Sequence, residues 1–295
     1  MQRKKNWLPY LFMLPAIALI LFVYAGPMMA TVGLSLTDWN GISKDIGFVG
    51  LKNFIQIFRN EDLLGPLKNT LYFTVCTVLL QCTIALLLAV WLNHAFFGRN
   101  MLRAAFFIPC VVSMVAIGYA WSMIFNPVLG PLKMLADAMN WPWLMEIKWL
   151  TDPNIVLNSL IFVNVWQWVG WSMVIYLAGL QGIPNNLYEA ASIDGATGVQ
   201  KFFRITLPLL VPSITINLVM TTMGGLKAFD LMYVMTNGGP GHASESISMA
   251  IVSQSIAQHK VGLGSALSLV LFAMVLTVSL LQNKLLSSKE EDAQL

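Results

Sequence analysis

Asn164, Gln167, Trp168 and Trp171 stand at i, i+3, i+4 and i+7, so a helix through them carries two amides and two indoles on one face. Amides pair with hydroxyl groups, and flat indole rings cover the aliphatic faces of sugar rings, so this face suits a polyhydroxyl solute. The competing reading is that the tryptophans fill core volume while the amides bond to neighbouring helices, for about 1 kcal/mol each. Asn217, Thr221 and Gly225, four residues apart, form a second candidate face, and the adjacent pair Gly224-Gly225 allows a solute or backbone to come close. Thr70, Thr74, Thr77 and Gln81 form a third polar stripe, whose first reading is hydrogen bonding between helices. No Ser/His/Asp or Cys/His constellation accompanies them. His94, His242 and His259 stand singly, and Cys76, Cys82 and Cys110 have neither zinc nor disulfide spacing, so no metal or cofactor is expected.

These faces need helices in lipid. The 295 residues are 57% hydrophobic and 11% charged, against about 25% charged in soluble domains. Six charge-free stretches exceed the ~20 residues a helix needs to cross a bilayer. The expected fold is therefore all-α and integral to the membrane, one domain over 1–295 with spans near 8–36, 69–93, 102–125, 155–181, 203–226 and 262–284. The first stretch is too long for a signal-peptide core and is read as a retained span, kinked at Pro15 and Pro27. Residues 126–154 read as an interfacial cap with a short helix over 132–139, and 227–262 as an external loop with a Gly-Gly-Pro-Gly turn. The tail from Lys284 is short, charged and expected to be mobile. Basic residues divide almost evenly between the two sides. The triplet Arg3-Lys4-Lys5 abutting the first span then favours both termini in the cytoplasm. They form no continuous stripe, so nucleic acid is not an expected partner.

Residues 182–204 join two spans and carry the most specific pattern. Asn186 and Glu189 predict a capping box, and Asp194-Gly195 a glycine stop. Thr197 and Gln200 predict a second helix start, running into the fifth span, with Pro208 and Pro212 bending it. An exposed carboxylate beside two alanines could simply belong to a good short helix. It also offers a close approach and a bidentate partner for an arginine on another protein.

The order Glu189-Ala190-Ala191, three residues, Gly195, nine residues, Ile205, one residue, Leu207-Pro208 resembles the EAA loop of permease subunits of binding-protein-dependent ABC importers, and the likeness extends to Asp194, Ala196, Phe203 and Pro212. Ser35 to Asn40, Phe48 to Phe54, Thr236 to Gly241 and Gly262 to Ala266 are similar to external segments of the carbohydrate branch, of the maltose and glycerol-3-phosphate type. The resemblance implies a type I importer fold in a bacterial inner membrane. It also implies a coupling helix (Glu189, Ala190, Ala191, Asp194, Gly195) that docks on a separate ATPase dimer, a second permease subunit and an extracytoplasmic solute-binding protein. It likewise implies a midmembrane sugar site on the fourth-span face. The chain has no Gly-x-x-x-x-Gly-Lys-Ser/Thr loop, so hydrolysis is expected elsewhere. A phosphorylated solute is disfavoured by the lack of basic residues near the fourth-span face, and an ion-coupled carrier by the lack of ionisable residues near span centres.

Overall fold

A computed structural model describes residues 8–294, and helices dominate it. Four helices are individually long and apolar enough to cross a bilayer, and two bent pairs bring the number of spans to as many as six. Cα packing groups the described residues into two compact units, residues 8–61 with 250–272 and residues 62–249 with 273–294.

In the first unit, α1 runs over Leu8–Ile20, a π-helical turn Leu21–Ala25 and Gly26–Ser35. Pro27 lacks an N–H and crowds the turn before it, and the wider π turn just ahead absorbs that misfit. None of the apolar window of α1 is buried within the chain, which fits lipid or another subunit as its surroundings. Beyond it an isolated antiparallel bridge joins Thr37 to Phe48, and the short helix α2 (Lys52–Arg59) follows. Buried Asn53 donates from Nδ2 to the carbonyls of Ser35 and Thr37, both at 2.8 Å, which ties α2 to the end of the span.

The second unit holds the other spans, except the start of the last, which belongs with the first unit. Helix α3 (Glu61–Asn93) starts well before the expected residue 69, and Thr70 and Thr74 return their hydroxyls to carbonyls four residues back. The third span departs from the sequence expectation of one helix. It is α4 (Arg99–Val111) and α5 (Met114–Ile124), set at 100° around extended Val112 and Ser113. Pro109 weakens the last turn of α4, and polar contacts from elsewhere must then satisfy the freed backbone. The cap carries α6 (Pro131–Ala138) and α7 (Pro142–Glu146), and the fourth span is α8 (Val156–Gln181). Helix α8 is the most buried of these spans. Its Gly170 sits against α4 so closely that an added Cβ would lie 1.9 Å from the Phe106 carbonyl oxygen.

Then come α9 (Asn185–Ile193), α10 (Gly198–Leu209, with a π turn over Phe202–Thr206) and α11 (Val211–Leu226), the last two at 66°. The bend falls at Leu210, between the two prolines expected to cause it. The expected external loop is largely helical: α12 (Asp230–Thr236) and α13 (Ile247–Ala257) occupy it, and Ser244, Glu245 and Ser246 are buried. Asn69 of α3 holds that segment by donating to the carbonyls of His242 and Glu245 at 3.0 and 3.1 Å. Helix α14 (Val261–Gln294) continues through the stretch expected to be a mobile tail.

Two apolar clusters hold the second unit. Phe73, Ile117, Leu160 and Met232 join α3, α5, α8 and α12, while Ala85, Ala89, Met173, Tyr176 and Leu210 join α3, α8 and the start of α11.

Candidate transport site and coupling arm

Beside the first cluster, which contributes Phe73 and Leu231 to its lining, lies a cavity of about 400 Å³. That volume falls within the range of small-molecule sites. Helix α8 contributes Asn164, Trp168 and Trp171; α11 contributes Thr221, Gly224 and Gly225; α3 contributes Phe73, Thr77 and Gln81; and Met114 stands where the broken span resumes. The indole of Trp171 stacks on Phe107 with ring centroids 6.5 Å apart, so the helix before the break supports one wall. Gln81 braces the floor. Its amide donates to the Ser172 hydroxyl at 2.8 Å and lies 3.4 Å from that of Thr221, linking three helices.

Two of the residues expected on this path do not line it. Gln167 is buried, and its Nε2 donates to the carbonyl of Val112 at 3.2 Å, at the break in the third span. Asn217 is fully buried and donates to the Ser172 carbonyl at 3.0 Å. For these two, the helix-to-helix alternative describes the geometry. A position on a helical face fixes direction to within one helix width, and a bulky neighbour such as Trp168 can hold the cavity while the adjacent amide turns to another helix.

The sequence reading missed Lys227, Phe229 and Asp230, which also line the cavity. A turn after α11 folds α12 inward, so residues assigned to a loop outside the membrane reach the cavity. Neither charged side chain makes an ion pair or hydrogen bond among the described residues. One cation and one anion therefore face the same space. Gly225 has a second role, because an added Cβ would meet Thr74 of α3 at 2.9 to 3.0 Å. Among the described residues, no group of His, Cys, Asp and Glu side chains could hold a metal ion.

The other candidate group lies on α9. The expected capping box is not formed there: Pro184 takes the cap position two residues before Asn186, and the helix starts at Asn185. The expected glycine stop is present, with Gly195 at φ +76° and Ala196 N–H donating to the Ala191 carbonyl at 2.9 Å. The capping box of Thr197 and Gln200 forms as expected. Glu189, Ala190, Asp194 and Gly195 are exposed and Ala191 is half-buried. Leu187, Ile193 and Val199 are also exposed, Ile193 at 87%. The opposite side of α9 is fixed: Tyr188 packs against the second cluster, and its hydroxyl shares a 2.9 Å hydrogen bond with Thr206 of α10.

Residues 81–288 match the model of the family described as "Binding-protein-dependent transport system inner membrane component". The chain belongs to that family. It is similar to the probable ABC transporter permease protein YurN of Bacillus subtilis, at 35% identity over 99% of this chain and 100% of the relative. It is also similar to the probable starch degradation products transport system permease protein AmyD of Thermoanaerobacterium thermosulfurigenes, at 31% identity over 97% and 96%. A bacterial ABC transporter involved in the import of the acidic polysaccharide alginate has a chain matching at TM-score 0.81 and 26% identity, over 97% of this chain and 96% of that one. The fold is thus that of an ABC importer permease, and the chain is a multi-pass inner-membrane component.

Proposed function

We propose that this chain is the permease subunit of a carbohydrate ABC importer, forming half of a path shared with a second, different permease subunit. The observation that carries the reading is covalent continuity. The exposed arm α9–α10 leads directly into α11, which presents Thr221, Gly224 and Gly225 to an aromatic and amide-lined cavity. A separate ATPase dimer grips α9 through Glu189 and the small face of Ala190 and Ala191. Its closure moves the arm as a lever about the bend at Leu210, and the Tyr188–Thr206 contact carries the motion into α10. This subunit hydrolyses no ATP. The arm lies on the cytoplasmic side with both termini, and an extracytoplasmic binding protein delivers solute to the opposite face.

Sugar is favoured by the lining. Trp168, Trp171, Phe73 and Phe229 supply ring faces, while Asn164, Thr77, Thr221 and Gln81 supply hydroxyl partners. The relatives named for starch degradation products and alginate support a glycan solute. Lys227 and Asp230 leave the lining without net charge, which suits a neutral saccharide better than a phosphorylated one. Replacement of Trp168 by alanine, in the transporter assembled with its own ATPase and binding protein, should lower ATP-driven uptake about tenfold or more. Tritiated uptake into proteoliposomes measures it, with the sugar recovered from the co-purified binding protein as solute. Uptake at the parent rate, or accumulation without ATP, would remove this function.

A further inference from the structure

In the unit of residues 8–61 and 250–272, two spans meet end to end. Helix α1 stops at Ser35, α14 starts at Val261, and the Gly262 N–H donates to the Trp39 carbonyl at 3.0 Å. A cavity of about 220 Å³ lies at this junction, lined by Asp38, Trp39, Lys52, Asn53, Gln56 and Lys260. Apolar spans depart from it on one side and polar chain on the other, so it sits at the level of the lipid headgroups.

Its frame is fixed by internal contacts. Asn53 clamps the carbonyls of Ser35 and Thr37, the Trp39 indole N–H donates to the Ser43 carbonyl at 2.9 Å, and Asp38 accepts the Gly47 N–H at 2.8 Å. The cationic groups are less committed: among the described residues Lys260 donates only to exposed Gln258, and Lys52 has no side-chain partner. A simple anion site would exclude Asp38, and a simple cation site would exclude both lysines. A zwitterion uses all of them.

We propose that this cavity binds the headgroup of an amine-bearing phospholipid, with the phosphate against Lys52 and Lys260 and the ammonium against Asp38 and the Trp39 ring. The lysines supply charge-assisted hydrogen bonds to phosphate, and carboxylate and indole both attract an ammonium. The lipid's acyl chains then lie along the apolar faces of the two spans.

Native mass spectrometry of the assembled transporter, released from nanodiscs of equal phosphatidylethanolamine and phosphatidylglycerol, tests the assignment. The expected result is preferential retention of phosphatidylethanolamine. The pair Lys52→Gln and Lys260→Gln should reduce retention about fivefold for each lysine removed. Asp38→Asn keeps an acceptor for the Gly47 N–H, and it should abolish the preference for ethanolamine over glycerol while phosphate contacts persist. Equal retention of both lipids by the parent protein would overturn the proposal, as would undiminished retention by the double lysine variant. Soluble phosphoethanolamine that displaces the lipid at equal concentration would assign the cavity to a free solute instead. Protection of Lys52 and Lys260 from acetylation by the binding protein, and not by lipid, would assign it to a protein partner.

Discussion

Glu189→Ala combined with Gly195→Val is expected to lower ATP-driven uptake by about 30-fold or more while leaving the protein inserted and folded. The figure corresponds to about 2 kcal/mol for losing one partner of an interfacial charge pair. Stability should change little from the first substitution, because Glu189 is exposed and its side chain makes no ion pair or hydrogen bond among the described residues. The second acts through conformation alone. Nothing lies within 4 Å of a Cβ built on Gly195, but its φ of +76° is one that valine resists, by about 1 to 2 kcal/mol. The turn between α9 and α10 would reopen, and the arm would lose its shape. Uptake and co-purification of the ATPase subunits, measured on the same preparation, separate the outcomes. If both stay at parent levels, α9 is not the coupling element.

Gly170→Ala is expected to be among the most disruptive single-methyl additions in the protein. The new carbon would stand 1.9 Å from the Phe106 oxygen, 2.5 Å from its carbonyl carbon and 2.9 Å from the Phe107 Cα. All three are backbone atoms, so no rotamer change relieves the clash and α4 must move away from α8. Overpacking of this kind costs about 1 to 3 kcal/mol, and more where backbone must shift. The displaced helix carries Phe107, which supports Trp171, and it leads to Val112, whose carbonyl receives Gln167. Gly65→Ala is the control, since its Cβ would meet nothing within 4 Å. In a fluorescence-detected thermal unfolding experiment the Gly170 variant should melt well below the parent and the Gly65 variant at or above it. Equal melting of both would mean that α4 and α8 do not cross this tightly.

Much of this architecture could be read from residue order because lipid imposes a simple rule, a long run without charge for each crossing. The fourth span, the Gly195 stop, the Thr197 cap and the proline bend near Leu210 each followed from a local cause, and each lies within a few residues of its expected place. What escaped the reading depended on partners distant in sequence. Pro109 signals weakness in a helix, but the 100° turn at Val112 and Ser113 depends on where α8 and α12 leave room. Periodicity placed Asn164, Gln167, Trp168 and Trp171 on one face and could not tell which amide would turn to the cavity and which to the break. Lys227 and Asp230 were assigned to the outside because charge ends an apolar run, and only the inward fold of α12 brings them to the cavity lining.

The uncovered flank of α9 and α10 has a consequence for how the assembly is made. Leu187, Ile193 and Val199 are exposed greasy side chains, and on the cytoplasmic placement proposed for the arm they face water. A copy synthesised in excess of the ATPase motor proposed to grip α9 would carry this sticky thumb bare, inviting self-association or proteolysis. Balanced production of the components would then be enforced by the fate of the surplus, and a cell deprived of the motor should contain little of this chain.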